Sequence, residues 1–358
     1  MKTFRIIFLL FVVFLPKSGW AQYELEQNYL SGIKKYSSGS DYLGALADLD
    51  RAVEVLPGNP HAYYYRAKVN YELGRYEEAR SDFHKAAENG EDSIRVMADL
   101  ATFEFRIGEY ENAVTAYDYL LEKNPGNLNA LYYRGMSNSN IRKFKHALVD
   151  FDQLIKMRPG KAEYYVARAN ARTRSIKPDN EIGIQIYQDA LKDMDNAIAL
   201  DRNNADYYCQ RGYTKHLLGQ NIGAMEDFDK ALALNANDDY CYNKRGLVKL
   251  HLEDFPGSVR DFNTAIRLEP ENAEYYMNRG LAKFNGGQYR IATRDYESAI
   301  SIINAGKVHQ NTLLAQCHLL LGLAYNAEQA SYQACQNFRR SRELGSSQGA
   351  DYMKRYCR

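Results

Sequence analysis

The side chains best suited to chemistry are scattered along this chain. Seven histidines stand at positions 61, 84, 146, 216, 251, 309 and 318. No pair of them shares a helix-face spacing with a carboxylate of the kind a zinc hydrolase needs. His216 and His251 are the two that the chain could bring near each other. There is no Gly-x-Ser-x-Gly elbow, no His-Glu-x-x-His helix and no Gly-Lys-Ser/Thr phosphate loop. Acidic residues are plentiful, but nothing singles out two opposed carboxylates for acid–base work. No catalytic residue, cofactor or metal site is therefore assigned. Five cysteines (Cys209, Cys241, Cys317, Cys335, Cys357) leave at least one thiol unpaired within a monomer.

The residue types that do recur at a fixed interval are arginine and aspartate. Arg66 is followed after 16 residues by Asp82, and the same interval gives Arg134/Asp150, Arg211/Asp227, Arg245/Asp261 and Arg279/Asp295. Arg168/Asp193 is separated by 25. At the corresponding places Leu100 and Ala116 replace both members, as do Leu321 and Asn337, whereas Asp48 faces Gly32. Joint retention and joint loss predict a contact between the two side chains. The alternative is two solvated charges that share repeat ancestry. In a partly buried pair, removing one partner costs ~3–5 kcal/mol. The role this implies is structural.

The elements that must position these residues repeat every 34 residues. The six arginines differ by multiples of 34 except for one extra nine-residue step, and Pro57, Pro125, Pro159 and Pro270 follow the same ruler. A 34-residue period with small and aromatic residues at fixed offsets (Tyr63, Ala67, Gly74, Tyr76, Ala79, Phe83, Ala86) resembles the tetratricopeptide repeat, or TPR. The resemblance implies an all-α TPR solenoid: a right-handed superhelix of helix A–turn–helix B units. Ala79, Phe83 and Ala86 share one face of helix B. Gly74 suits the end of helix A, and the prolines end helix B. About nine repeats fill 26–348, with an insertion near 177–186, an interruption at 307–314 and a capping helix at 349–358.

In the family, A helices line a concave groove that binds peptides or partner helices. The stripe two before, two after and five after the Arg slot carries that reading onto Tyr64, Lys68, Tyr71, Phe105, Tyr132, Met136, Asn170, Tyr213, Asn243, Leu247, Met277 and Phe284. Such a wall is apolar and aromatic, as interfaces favour. Some of these side chains would instead pack on the neighbouring A helix. No consecutive repeats supply the Lys and Asn set of family members that clamp a C-terminal carboxylate. Thirty Tyr against one Trp follow from the repeat, which places most Tyr in packing slots.

The formal charge of +1 lacks the basic excess of a nucleic-acid binder. Lys2 and Arg5, the apolar run Ile6–Leu15 and Gly19-Trp20-Ala21 have the layout of a secretory signal peptide over 1–21. The mature chain, 22–358, contains no stretch fit to span a membrane. The expectation is an exported protein, periplasmic or extracellular, in which disulfides are permitted. The segment Ala334-Cys335 to Tyr356-Cys357 resembles the ends of exported bacterial TPR proteins, where such a pair staples the cap. Similar heights on two helices allow a Cys335–Cys357 bridge, and two buried thiols are the alternative. Cys317 is the poorer partner, and Cys209 and Cys241 read as free packing residues. The function expected is a non-catalytic scaffold binding a peptide or protein in its groove. The rivals are an enzyme accessory or small-molecule binder using the insertion, and a self-assembling solenoid.

Overall fold

The computed structural model describes residues 17–306 and 310–357, so most of the expected leader at 1–21 lies outside the described residues. These residues form 19 helices, with no strand among them. Packing divides the chain into two compact units, one ending at Arg158 and the next starting at Pro159. The first unit contains α1 (Lys17–Ser38), α2 (Tyr42–Val55), α3 (Pro60–Glu72), α4 (Tyr76–Glu88), α5 (Ser93–Ile107), α6 (Tyr110–Lys123), α7 (Leu128–Asn140) and α8 (Phe144–Met157). The second contains α9 (Ala162–Ser175), α10 (Glu181–Leu200), α11 (Ala205–Leu217), α12 (Asn221–Leu234), α13 (Asp239–His251), α14 (Phe255–Leu268), α15 (Ala273–Asn285), α16 (Tyr289–Ala305), α17 (Asn311–Ala327), α18 (Ser331–Glu343) and α19 (Ser347–Tyr356). Odd-numbered helices up to α17 are the A helices of nine hairpins, each paired with the even-numbered B helix that follows.

Local chemistry explains several of the boundaries. Side chains at the A-helix N-caps accept backbone N–H bonds: Asn59 from Ala62 at 3.1 Å, Asn127 from Ala130 at 3.1 Å and Asp238 from Cys241 at 2.8 Å. The A–B turn needs a left-handed residue, and Gly74 supplies it with φ 72°. Arg142, Glu253 and Gln329 adopt the same conformation without being glycine, at φ 62°, 61° and 61°. Within a hairpin the helices interlock. Ala79, Phe83 and Ala86 are buried on one face of α4. A Cβ on Gly246 would stand 2.8 Å from the Phe262 ring, and one on Gly280 would stand 2.7 Å from the Tyr296 ring. The small residue after the Arg slot is thus the seat of the B-helix aromatic ring.

The irregular repeats are resolved by longer helices. The insertion becomes the turn before α10 and a 20-residue helix, capped where Asn180 accepts from Gly183 N at 2.9 Å. The spacing change near 307–314 accompanies the 17-residue helices α16 and α17. The terminal cap starts at Ser347, two residues earlier than expected. Ser346 accepts from Gly349 N at 3.0 Å, and Gly349 sits in the first turn of α19 against Ser341. The turn is confined to Leu344–Ser346, with Gly345 at φ 92°.

Candidate partner-binding groove

Six A-helix arginines fix the geometry of the repeats. The guanidiniums of Arg66, Arg134, Arg168, Arg211, Arg245 and Arg279 make two-pronged contacts with Asp82, Asp150, Asp193, Asp227, Asp261 and Asp295, each within its own hairpin. The Nε–Oδ2 distances are 2.8–3.1 Å and the Nη2–Oδ1 distances 2.5–2.8 Å. The Asp side chains are only 2–6 % exposed and the arginines 17–24 %. These are therefore partly buried, charge-assisted forks. Burial pushes the Asp150 carboxyl above its usual range, and Arg134 pulls it only part of the way back.

The third guanidinium prong reaches an acceptor that the sequence reading missed. Nη1 of Arg66, Arg134, Arg211 and Arg245 bonds Asp50, Asp118, Asp195 and Asp229 of the preceding B helix, and Arg279 bonds Asn263, all at 2.6–2.9 Å. One arginine thus ties its own hairpin to the previous one. The signal was present, because each of these acceptors stands 16 residues before its Arg. The residue four after the Arg slot is a second support. Lys215, Lys249 and Lys283 reach Asp227, Asp261 and Asp295 at 2.7–2.8 Å, and Asn70 donates to Asp82 at 3.2 Å.

Asp193 departs from the simple pair expected of it. Its carboxylate is shared by two guanidiniums: Arg168 forks onto both oxygens, and Arg172, one helical turn later, donates to Oδ2. Arg172 also donates to the Asp189 carbonyl at 3.1 Å, one turn before Asp193 on α10. The expected Arg168–Asp193 pair is present, and Arg172 joins it, a second arginine in the place that lysine takes in later repeats. The 25-residue spacing leaves the contact intact because the inserted residues are taken up by the turn before α10 and by that helix's extra length. Asp48, which lacks an arginine, is held by Ser31 at 2.6 Å and Lys35 at 2.7 Å.

A helices meet their neighbours through side chains, as where Tyr71 of α3 meets Phe103 of α5 and Phe105 of α5 meets Tyr133 of α7, and through close packing, as between α11 and α13. The stripe residues lie on these A helices, but two of them are not open to a partner. Tyr64 is 1 % exposed; its hydroxyl donates to Asp99 and its ring packs on Phe83. Asn243 is 1 % exposed and accepts from Asn278 at 2.9 Å. The next A helix covers both, so they are packing groups, and the expectation of two groove residues there is corrected. The remaining ten are half-buried. Tyr71 meets Phe103, Phe105 meets Tyr110 and Tyr133, Tyr132 meets Tyr133, and Phe284 meets Tyr289, all with ring centroids 5.1–5.6 Å apart. Met277 packs in the apolar cluster around Leu314. Met136 and Leu247 each keep part of their surface.

Two cavities open among these side chains. In the first unit, a cavity of about 250 Å³ is lined by Lys68, Tyr71, Asp99, Phe103 and Arg106, with Lys68 paired to Asp99 at 3.0 Å. In the second, a cavity of about 530 Å³ is lined by Asn170, Arg174, Tyr187, Gln210, Tyr213 and Tyr240. Lys244 lies over the Tyr213 and Tyr240 rings at 4.7 and 4.8 Å. Burial pushes both phenols further above their usual range. A larger opening of about 590 Å³, between helix ends near Glu271 and Gln310, includes no stripe residue.

Two family models for the tetratricopeptide repeat match the chain, one over residues 36–94 and 243–305 and the other over 205–238. Nine helical hairpins of this geometry agree with them. The chain belongs to the tetratricopeptide repeat family. Solved structures with the same fold include a TPR protein from Parabacteroides merdae ATCC 43184. It is 19 % identical with a TM-score of 0.56, over 73 % of this chain and 98 % of that one. The APC/C hetero-tetramer Cut9–Hcn1 is 16 % identical with a TM-score of 0.56, over 89 % and 60 % of the two chains. PilW, a type IV pilus biogenesis factor, is 14 % identical with a TM-score of 0.54, over 64 % and 99 %. These likenesses concern the fold. No curated protein matches the chain.

The remaining reactive groups of this TPR protein also have definite places. The His216 and His251 rings meet edge-on at 5.4 Å, and His216 Nδ1 bonds Asn221 at 2.8 Å. Cys335 and Cys357 lie together, with Cα atoms 5.5 Å apart and the sulfurs at bonding distance. Cys209, Cys241 and Cys317 are buried and unbridged. No helix among the described residues is long and apolar enough to cross a membrane.

Proposed function

We propose that this TPR protein is a non-catalytic scaffold that holds an extended peptide or a partner helix against its A-helix faces. The observation that carries this reading is the convergence of half-open stripe residues on a cavity in each unit: Lys68 and Tyr71 in one, Asn170 and Tyr213 in the other. Both cavities combine aromatic walls with a few polar groups, the composition of recognition sites for short peptides. TPR proteins are generally non-enzymatic scaffolds, and no nucleophile-and-base pair emerges from the described residues of either cavity.

Selection from a displayed random-peptide library tests the reading. The full chain should enrich a related set of peptides, and N170A/Y213A should lose most of that binding while keeping its helical signal and cooperative unfolding. Enriched peptides that bind the variant as tightly as the parent would move the site elsewhere. The polar lining beside the insertion, Arg174 and Tyr187 with Gln210, favours a second reading as a small-molecule site. Retained binding of a small polar ligand together with failure of every peptide selection would support it.

The leader layout over 1–21 supports export. Protein recovered from the envelope fraction should begin at Gln22, and a chain still beginning at Met1 in the cytoplasm would refute this. Export in turn favours a Cys335–Cys357 disulfide. Closing a 22-residue separation would stabilise the end of the stack by about 3 kcal/mol on the chain-entropy argument. Peptide mapping without reductant should yield the linked pair, and free alkylatable thiols at both positions would contradict it.

A further inference from the structure

We propose that Cys209, Asp238 and Cys241 form a binding site for a borderline-soft divalent transition metal ion, zinc above all, that clamps α11 to α13. The ligand atoms of the three side chains lie within 4.8 Å of one another. In a tetrahedral zinc site with Zn–S near 2.3 Å and Zn–O near 2.0 Å, ligand atoms stand roughly 3.5–3.8 Å apart, so the trio closes around an ion by small side-chain shifts. Among the described residues, no other trio of His, Cys, Asp or Glu gathers this closely.

The placement follows from the repeat. Cys209 and Cys241 stand on neighbouring A helices and both are 0 % exposed. Asp238 is the N-cap of α13 and accepts from Cys241 N at 2.8 Å, which holds its carboxylate beside the sulfur of that first turn. A helix N-terminus stabilises a thiolate. Cys209 and Cys241 share one apolar cluster with Phe228 and Val248, whereas Cys317, the third free cysteine, sits in another with Leu314 and Met277 nearby. Two thiols beside a capping carboxylate are therefore particular to the junction of the sixth and seventh hairpins.

Electrostatics select the occupant. Both thiols are fully buried, so thiolates there need a cation beside them, because an unpaired buried charge is costly. Asp206 and Asp239 add negative potential near Asp238, which favours a cation. Binding a dication releases both thiol protons. The formal charge of the site is then the same before and after, which makes burial of the ion tolerable. Two thiolates and one carboxylate suit zinc rather than magnesium or calcium. With three protein ligands, the fourth position of a tetrahedral site would be filled by water.

The test uses the full chain with Cys335 and Cys357 left oxidised, freed of metal by a chelator and titrated with cobalt(II) and then zinc. One equivalent of cobalt should give a thiolate-to-metal charge-transfer absorption that zinc abolishes, and zinc should raise the thermal midpoint. C209S and C241S should lose both responses, and C317S should retain them. D238N keeps an N-cap and should bind zinc at least ~10-fold more weakly, since even outer contacts to a metal site are worth that much. Circular dichroism checks that each variant is folded. A folded parent protein without the absorption would overturn the proposal. So would an absorption that survives in C209S and C241S, or a Cys209–Cys241 disulfide whose reduction yields no metal binding.

Discussion

Arg134 and Asp150 form the pair on which the repeat chemistry is most easily tested. Deleting only the arginine strands a carboxylate that is 2 % exposed, so R134L should cost ~3–5 kcal/mol in urea unfolding of the full chain. The double variant R134L/D150A reproduces the apolar combination that Leu100 and Ala116 already provide one hairpin earlier, where both are buried. It should recover most of that loss, and equal destabilisation of single and double variants would show that the pair is not coupled. The contact itself was legible, because paired loss within one chain is a physical signature of contact. The third prong to Asp118 joins two hairpins rather than one, so its signal, an Asp or Asn 16 residues before the Arg, lies across a repeat boundary. The second arginine on Asp193 was not legible, because the slot four residues after the Arg holds Asn, Lys or Arg in different repeats and shows no joint pattern. His318 gives the pH arm. Burial and Arg340 lower its pKa from 6.5, against a hydrogen bond with Asn337. The unfolded chain binds this proton more readily, so the stability His318 contributes is complete above about 6.5 and is lost as pH falls through the lowered folded value. H318Q should flatten the thermal midpoint below that pH while leaving it unchanged above, and parallel profiles would contradict the assignment.

At the scale of elements, the A–B turns carry stored strain in three hairpins. Arg142 holds φ 62° where other turns use glycine, at a cost of about 1–2 kcal/mol for an L-residue. R142G should therefore raise the stability of the first unit by about 1 kcal/mol. G74A should lower it, since a Cβ at Gly74 meets no atom within 4 Å and only the backbone conformation is at stake. Chemical denaturation of the two variants checks both signs, and equal shifts would mean that side-chain contacts rather than backbone conformation decide the turns. The same scale shows what periodicity can and cannot say about the groove. The spacing placed Tyr64 and Tyr213 in the same slot-based stripe, each on the A helix of its own hairpin. It had no means of showing that the neighbouring A helix and Arg95 cover Tyr64, with Arg95 4.4 Å above its ring, while Tyr213 keeps an open cavity before it. Replacing Tyr64 therefore perturbs packing, and Tyr213 is the informative probe of binding.

For the whole molecule, the 34-residue ruler was enough to count nine hairpins and place the insertion, because each repeat keeps a small seat and an aromatic or large apolar side chain that fills it. The division after Arg158 was not legible, since the period runs through it unchanged, and neither was the trio Cys209, Asp238 and Cys241, whose members belong to different slots. The central claim is that the A faces hold a peptide. Hydrogen–deuterium exchange of the full chain, with and without a peptide obtained by selection, measures it most directly. The account predicts slowed exchange confined to the A helices, strongest in α9, α11 and α13 around Asn170 and Tyr213, with the outer faces of the B helices unchanged. Protection concentrated on B helices or on the terminal cap, with α9, α11 and α13 unaffected, would contradict it.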